Sequence, residues 1–544
     1  MPTGAERTAG RPIATIAAPP LLLVTPFVIF LRHHAYSVTQ PEIVLCLLTM
    51  ILTGAGLALA GLRWPKLGIA VLAILITAFV DVQFEFDVPI PGIGKTKLLV
   101  AMLLGLYLIL SRLGAHAFQI TAVMTSTILV STVLLPAGRL SWVDGGVPFG
   151  DRRLPFVLHV VLDEHIGVEG LRAANPQGAG ELREFFANRG FRLLGGAYSQ
   201  YALTTDSLGQ VLNLIPGQQL SGEVIVSNGV AEYELTRGAY FDRMAEAGYG
   251  MRIYQTEWLD LCHAVPEPHG CETFGVTRLG MLQAQPLSIL QKLAVVAGTY
   301  VARTDVGPKL FRLYDIGTRP VVRDSAPRVR QRLGTTPYST LAGAAMFNRL
   351  TADLAHAERG QLFLAHVMLP HYPYMYDAEC GLLPPEKWLT RDDPSALDVT
   401  NTPQGRALRY DRYVEQLRCT LRHVGELIDA IPASLRADAV VVIHGDHGSR
   451  IALLDPLESR HSELVASDFV DSYSTLFAIR SQGIRAGYEE ARVSVACALK
   501  ALVEAAFQSL DGIVGCAATP TVFILDRGRG FTEWPLPSAG HETR

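Results

Sequence analysis

The sequence predicts an α/β protein in two parts, an N-terminal transmembrane helix bundle followed by a doubly wound domain. Three observations predict it. Five apolar stretches are crowded into roughly the first 140 residues. Beyond them, uninterrupted apolar runs of strand length end in acidic or histidine-bearing loops, as parallel strands buried on both faces do. Helical patterns separate those runs, which is the βα alternation of a doubly wound sheet.

A chain of 544 residues is long for one domain and predicts two or three. Hydrophobic residues make up 49% of it, mean hydropathy is positive, and the excess sits in the leading part. The net charge of −4, without any cluster of lysine and arginine, excludes an electrostatic footprint for nucleic acid.

The apolar stretches are Ile13–Leu31, Ile43–Leu62, Leu67–Val80, Leu98–Leu110 and Phe118–Leu135. Most approach the roughly 20 residues that cross a bilayer; the third and fourth need their flanking residues. Pro19, Pro20 and Pro26 interrupt the first, which membrane helices tolerate. Repetition, and the lack of a small-residue cleavage site, argue against a signal peptide. Arg7 and Arg11 precede the first span, Arg63 and Lys66 join the second to the third, and Arg112 joins the fourth to the fifth. Asp81, Glu85 and Asp87 follow the third, although Lys95 and Lys97 close that loop. This bias puts the amino terminus in the cytoplasm, and five crossings put everything after about residue 140 outside. The expected organisation is an anchor over 1–140, a linker over 141–153, an α/β domain over 154–530 and a tail over 531–544.

Cysteine usage agrees with an oxidising compartment. Cys46 lies in a span, leaving Cys262, Cys271, Cys380, Cys419, Cys497 and Cys516. An even number is compatible with a disulfide framework, of which nearest-neighbour pairing (262–271, 380–419, 497–516) is the simplest connectivity.

In the second part, Phe156-Val-Leu-His-Val-Val-Leu-Asp163-Glu164 reads as a buried strand ending in acid. Asp163 could equally serve as a helix N-cap. Glu181–Arg189 is expected to be helical. Around Thr204-Thr-Asp-Ser207 the apolar positions take helical spacing, so Thr204 or a neighbour opens a helix whose free N–H groups favour an anion. Tyr240–Ala247 reads as a helix and Gly250–Gln255 as a strand; Phe274–Ala342 carries no recognisable chemistry. Gln361-Leu-Phe-Leu-Ala-His-Val-Met-Leu-Pro-His371-Tyr-Pro-Tyr is a further strand running into a loop, with His371 between two prolines; His366, inside the apolar run, reads as structural. A helix over Tyr410–Ile431 precedes Asp438-Ala-Val-Val-Val-Ile-His-Gly-Asp-His-Gly-Ser-Arg450, the most informative stretch. There a buried strand delivers Asp446 and His447 to its carboxyl end, where open α/β sheets bind ligands. A carboxylate beside an imidazole suits zinc or a similar divalent ion. His461 lies in a polar loop beyond, and Tyr473–Arg480 and Thr521–Leu525 read as late strands.

Four motifs in this order resemble the sulfatase-like branch of the alkaline phosphatase superfamily. They are Val-Val-Leu-Asp163-Glu164, Thr204-Thr-Asp-Ser207, His371-Tyr-Pro373 and Asp446-His447-Gly448. The layout, about five spans before an outward domain, is most similar to lipoteichoic acid synthase and the lipid A phosphoethanolamine transferases. Ser449-Arg450 departs from that group, which usually continues Asp-His-Gly with Glu. The resemblance implies an alkaline-phosphatase-like catalytic domain, an inner-membrane multi-pass enzyme, and one or two divalent ions, most of all zinc, with manganese, magnesium or calcium as alternatives. It implies metal ligands Glu164, Thr204, Asp446 and His447, with Asp163 as a possible extra. Thr204 would be the nucleophile, with His371 and His461 stabilising phosphate or protonating a leaving group, and Arg450 would hold a phosphate oxygen. The partners would be a membrane phospholipid donor and a cell-envelope lipid or glycan acceptor. A hydrolase releasing phosphate or sulfate to water would share every motif, and an inactive membrane sensor on the same fold is a further alternative.

Overall fold

The computed structural model describes residues 4–83, 95–134, 141–144, 149–227, 231–267, 269–276, 278–302, 339–389, 403–452, 464–516, 520–526 and 530–537. The chain divides into two compact units, Met1–Leu140 with Arg278–Thr335, and Ser141–Thr277 with Thr336–Arg544.

The first unit is helical: α1 (Gly4–His33), α2 (Pro41–Arg63), α3 (Pro65–Gln83), α4 (Lys95–Leu113) and α5 (Ala115–Leu134). All five contain a stretch long and apolar enough to cross a membrane. Their outward side chains fit only an apolar solvent: Leu52 is 71% exposed and Val123 is 66% exposed. Polar groups turn inward instead. Lys95 meets the buried Asp81 carboxylate at 2.9 Å, and the Tyr36 hydroxyl donates to buried Glu42 at 2.5 Å. Small residues let the helices close up, since a Cβ on Gly54 would stand 2.5 Å from Pro20 Cα.

The second unit is built on a nine-stranded sheet. Its strands are β1 (Ser141–Asp144), β2 (Val157–Leu162), β3 (Arg192–Tyr198), β6 (Gly250–Thr256), β8 (His269–Phe274), β9 (Gln361–Val367), β10 (Val440–Gly445), β11 (Phe477–Arg480) and β12 (Gly487–Ser494). Between them lie α6 (Val168–Ala174), α7 (Pro176–Ala187), α8 (Thr204–Leu212), α9 (Ala239–Ala247) and a small sheet of β4 (Val224–Val226), β5 (Tyr233–Leu235) and β7 (Leu259–Asp260). The order is β1-β8-β6-β9-β2-β10-β11-β3-β12, with β8, β6, β9, β2 and β10 mutually parallel. Continuous burial of β2, β9 and β10 explains their uninterrupted apolar runs. Register matters most for the site: Leu162 of β2 pairs with Val367 of β9 and with Gly445 of β10. Three neighbouring strands therefore end at one level, and the next residue of two of them is an aspartate.

Cys262–Cys271 and Cys380–Cys419 are disulfides, as nearest-neighbour pairing expects, and Cys497 is disulfide-bonded as well. Several boundaries differ from the sequence reading. Segment 141–153 contains β1, an antiparallel edge strand on β8. Tyr473 closes a helix, Ala466–Tyr473, because its ring and those of its neighbours pack inward at helical spacing, and β11 starts only at Phe477. The helix expected from Tyr410 begins at Pro403. The strand Thr521–Asp526 pairs with Gly530–Pro535, so this hairpin runs into the expected tail. Arg278–Ala302, inside the expected 154–530 domain, belongs to the helical unit.

Candidate metal centre

The level strand ends place Asp163 after β2 and Asp446-His447 after β10. Asp163, Asp446 and His447 bring their ligand atoms within 4.8 Å of one another, and all three side chains are fully buried. Thr204 is the first residue of α8; its hydroxyl donates to Asp163 Oδ2 at 3.3 Å and lies 3.3 Å from His447 Nε2. Ser207, one turn on, donates to the Asp446 carbonyl at 2.5 Å and meets Ser199 Oγ at 2.9 Å, fixing α8 against the end of β10. Thr-x-x-Ser thus has a geometric reason: one hydroxyl faces the cluster and the other holds the backbone beneath it.

The loop after β10 is set by close approach. A Cβ on Gly448 would stand 2.0 Å from the Asp471 carbonyl, so glycine supplies room there. Asp471 then ties the following residues, accepting from Ser449 Oγ at 2.6 Å and from Ala452 N at 2.9 Å. His447 Nδ1 faces the Gly448 carbonyl at 2.9 Å, which makes Nδ1 the protonated nitrogen and turns the Nε2 lone pair toward Asp446 Oδ2 (3.2 Å) and Thr204. Burial, helped by the nearby Arg450 charge, pushes the His447 imidazole down to about 3, so it is neutral.

The carboxylates lack such a settlement. Burial and the charge of Asp163 push the Asp446 carboxyl well above its ordinary range. Burial works the same way on Asp163, but His371, His366 and His447 around it outweigh burial and hold it low. Asp163 Oδ1 and Asp446 Oδ2 are buried without a hydrogen-bond partner among the described residues. Two facing carboxylates, each with an unused oxygen, and an imidazole in the ligating tautomer fit a divalent cation.

Glu164 stands outside this ring. It adopts a left-handed backbone (φ 59°), which turns its side chain away from the direction a regular strand would give. Its N–H donates to Asp446 Oδ1 at 3.0 Å, and its carbonyl accepts from the Tyr413 hydroxyl at 2.7 Å. Its carboxylate accepts from both Nε (3.0 Å) and Nη2 of Arg450, itself left-handed at φ 49°. Such positions cost about 1–3 kcal/mol each and persist where surrounding contacts fix them. His371 Nε2 lies 3.8 Å from Glu164 Oε1, while its Nδ1 faces the Tyr372 carbonyl. The sequence-expected residues therefore fall into two groups: Asp163, Thr204, Asp446 and His447 around one point, and Glu164, Arg450 and His371 beside it. His461 lies outside the described residues.

The sequence reading took His366 as structural. Its Nε2 lies 3.2 Å from Asp163 Oδ2, and its ring is fully buried. The signal was available in register: His366 pairs with Val161, two residues before Asp163. Thr475 was also missed; its hydroxyl reaches the carbonyls of His165 (3.0 Å) and His447 (3.1 Å).

No protein-family profile and no curated protein matches the chain. Solved structures with a similar chain trace include the C-terminal periplasmic domain of EcEptC from Escherichia coli in complex with Zn (12% identity, TM-score 0.37, covering 73% of this chain and 96% of that one). Another is the phosphonate monoester hydrolase of Agrobacterium radiobacter (12%, TM-score 0.39, 69% and 82%). A third is the corresponding domain of the phosphoethanolamine transferase EptC from Campylobacter jejuni (11%, TM-score 0.37, 66% and 91%). Identities this low leave the chemistry to be read from the side chains.

Proposed function

We propose that this protein is a membrane-anchored, metal-dependent phosphotransferase of the sulfatase-like alkaline phosphatase superfamily, moving a phospho-substituent such as phosphoethanolamine or phosphoglycerol from a phospholipid to a cell-envelope lipid or glycan. The observation that carries the proposal is Thr204: an alcohol at a helix start, 3.3 Å from both a carboxylate and a neutral imidazole in a buried cluster. Asp163, Asp446 and His447, with Thr204 Oγ1, would hold the ion. When bound, zinc or a related ion lowers the pKa of the alcohol and draws charge from a phosphoryl oxygen. Asp163 accepts the Thr204 proton as the oxygen attacks phosphorus, and the leaving alcohol departs from the opposite side. The free N–H groups at the start of α8 face the transferred group. Arg450, held by Glu164, offers its guanidinium to a phosphoryl oxygen. His371, with Nδ1 committed to Tyr372, carries a proton on Nε2 to the leaving oxygen. In the second step the acceptor hydroxyl attacks phosphorus and gives its proton to His371 Nε2, while the bond from phosphorus to Thr204 Oγ1 breaks and Asp163 returns its proton to that oxygen. The five apolar helices support a membrane location and the disulfides an oxidising exterior, so both substrates would meet the site at the bilayer surface.

Incubating the enzyme with a labelled donor phospholipid, quenching, and mapping the modified peptide tests the proposal. Label is expected on Thr204, and Thr204→Ala is expected to lose label and turnover while keeping bound metal. Label on Thr205, or substantial turnover in Thr204→Ala, would overturn it. Release of the phospho-group to water at the same rate with and without acceptor would assign a hydrolase instead.

A further inference from the structure

Arg278–Ala302 interrupts the second unit in sequence yet belongs to the first. The chain reaches it from β8 and continues toward the helix Ser339–Leu354. Its opening residues clasp the turn between α1 and α2. Gly280 N donates to the His34 carbonyl at 2.9 Å, Arg278 Nη1 to the His33 carbonyl at 2.7 Å, and Gln283 Nε2 to the Ala35 carbonyl at 3.1 Å. Gln283 Oε1 in turn accepts from Ser37 N at 3.1 Å. A Cβ on Gly280 would lie 2.4 Å from the Ala35 carbonyl, so the fit is specific for glycine.

α10 (Ile289–Ala302) follows, and it packs against α2. Val295 and Val296 are fully buried, and the Tyr300 ring sits edge-on to Phe27 (5.1 Å) and Phe30 (5.2 Å) of α1. Its first turn is bare: Leu290 is 70% exposed and Ile289 is 48% exposed. Lys292 is the one charged residue of α10, and it reaches back to the Gln283 carbonyl at 2.8 Å. At about 1.5 Å per residue the helix is too short to span roughly 30 Å of hydrocarbon. An apolar helix that cannot cross but packs on membrane-spanning helices lies at the interface. α2, against which α10 packs, itself exposes Leu45, Leu48 and Leu52, an apolar surface that needs lipid.

We propose that Arg278–Ala302 is a membrane strap, a loop of the second unit's chain docked on the α1–α2 turn, with Ile289 and Leu290 seated in the acyl region of the bilayer interface. It goes beyond the transferase reading and does not depend on it.

The test uses the full chain in phosphatidylethanolamine/phosphatidylglycerol vesicles. Cys46, the free cysteine among the described residues, is changed to Ala, and a spin label is placed at Leu290→Cys. Collision with oxygen is expected to exceed collision with a water-soluble nickel chelate severalfold, as for a label in lipid. Adding Gly280→Leu, which blocks the clasp, is expected to return the label toward water. Chelate access equal to that of a label on a soluble loop would overturn the strap. Strong dipolar broadening between labels would overturn it in favour of a second copy as the occupant.

Discussion

Two groups of acids at the sheet of the second unit are treated in opposite ways. Next to the edge, buried Glu272 of β8 meets Arg252 of β6 at 2.8 Å and Arg349 at 3.2 Å, while half-buried Asp353 accepts from the Tyr254 hydroxyl at 2.7 Å and from Arg349 at 3.1 Å. Each carboxylate there faces guanidinium groups. At the rim, Asp163 and Asp446 face each other and histidines, and each keeps an oxygen without a partner among the described residues. A buried carboxylate is tolerated only when something positive compensates it. The edge carries that charge in its own sequence. At the rim the Arg450 guanidinium is taken up by Glu164, so the charge that balances Asp163 and Asp446 is expected from a bound cation.

The same acid-to-amide change should therefore have opposite consequences in the two places. Asp446→Asn is expected to abolish turnover and strip the bound divalent metal, read by metal analysis of the purified protein. In metal-free protein it should raise unfolding stability by about 1–3 kcal/mol, since the amide keeps the Oδ1 acceptor and removes a poorly solvated acid. Loss of stability in the metal-free variant would break the contrast. Glu272→Gln should cost about 3–5 kcal/mol by leaving Arg252 buried without its full partner, measured by denaturant unfolding, while the folded fraction keeps its metal. Glu164→Gln sharpens the division within the rim. It should leave metal occupancy intact and raise KM for the proposed phosphoryl donor about tenfold, because the residue orients Arg450 and stands outside the cluster of Asp163, Asp446 and His447. Loss of metal in this variant would return Glu164 to the ligand set. Thr205→Ala should change turnover least, since the Thr205 side chain is not in the cluster; a loss equal to that of Thr204→Ala would shift the nucleophile by one residue.

The particular residues show where sequence reading succeeds. Uninterrupted apolar runs located β2, β9 and β10, and helical spacing after Thr204 located the start of α8, because both signals are local and periodic. The assignment between Asp163 and Glu164 was hidden by one torsion angle: neighbouring strand residues point to opposite faces, and the left-handed turn at Glu164 decides which acid enters the ring. His366 looked structural because its significance comes from register with a strand some 200 residues earlier, at 3.2 Å from Asp163. The segment Arg278–Ala302 looked featureless for the same reason. Its partners, Phe27, Phe30 and the residues of the α1–α2 turn, lie roughly 250 positions away in sequence.

The clasp on that turn carries a parity rule. Leaving the turn after Gln40, the chain runs through α2, α3, α4 and α5 before Arg278–Gln283 touches the same turn again. Only an even number of passages through a bilayer returns a chain to the face it left. All four helices must cross, or they must fail in pairs. A single helix lying flat would put residues 33–37 and 278–283 on opposite faces, and none of their hydrogen bonds could form.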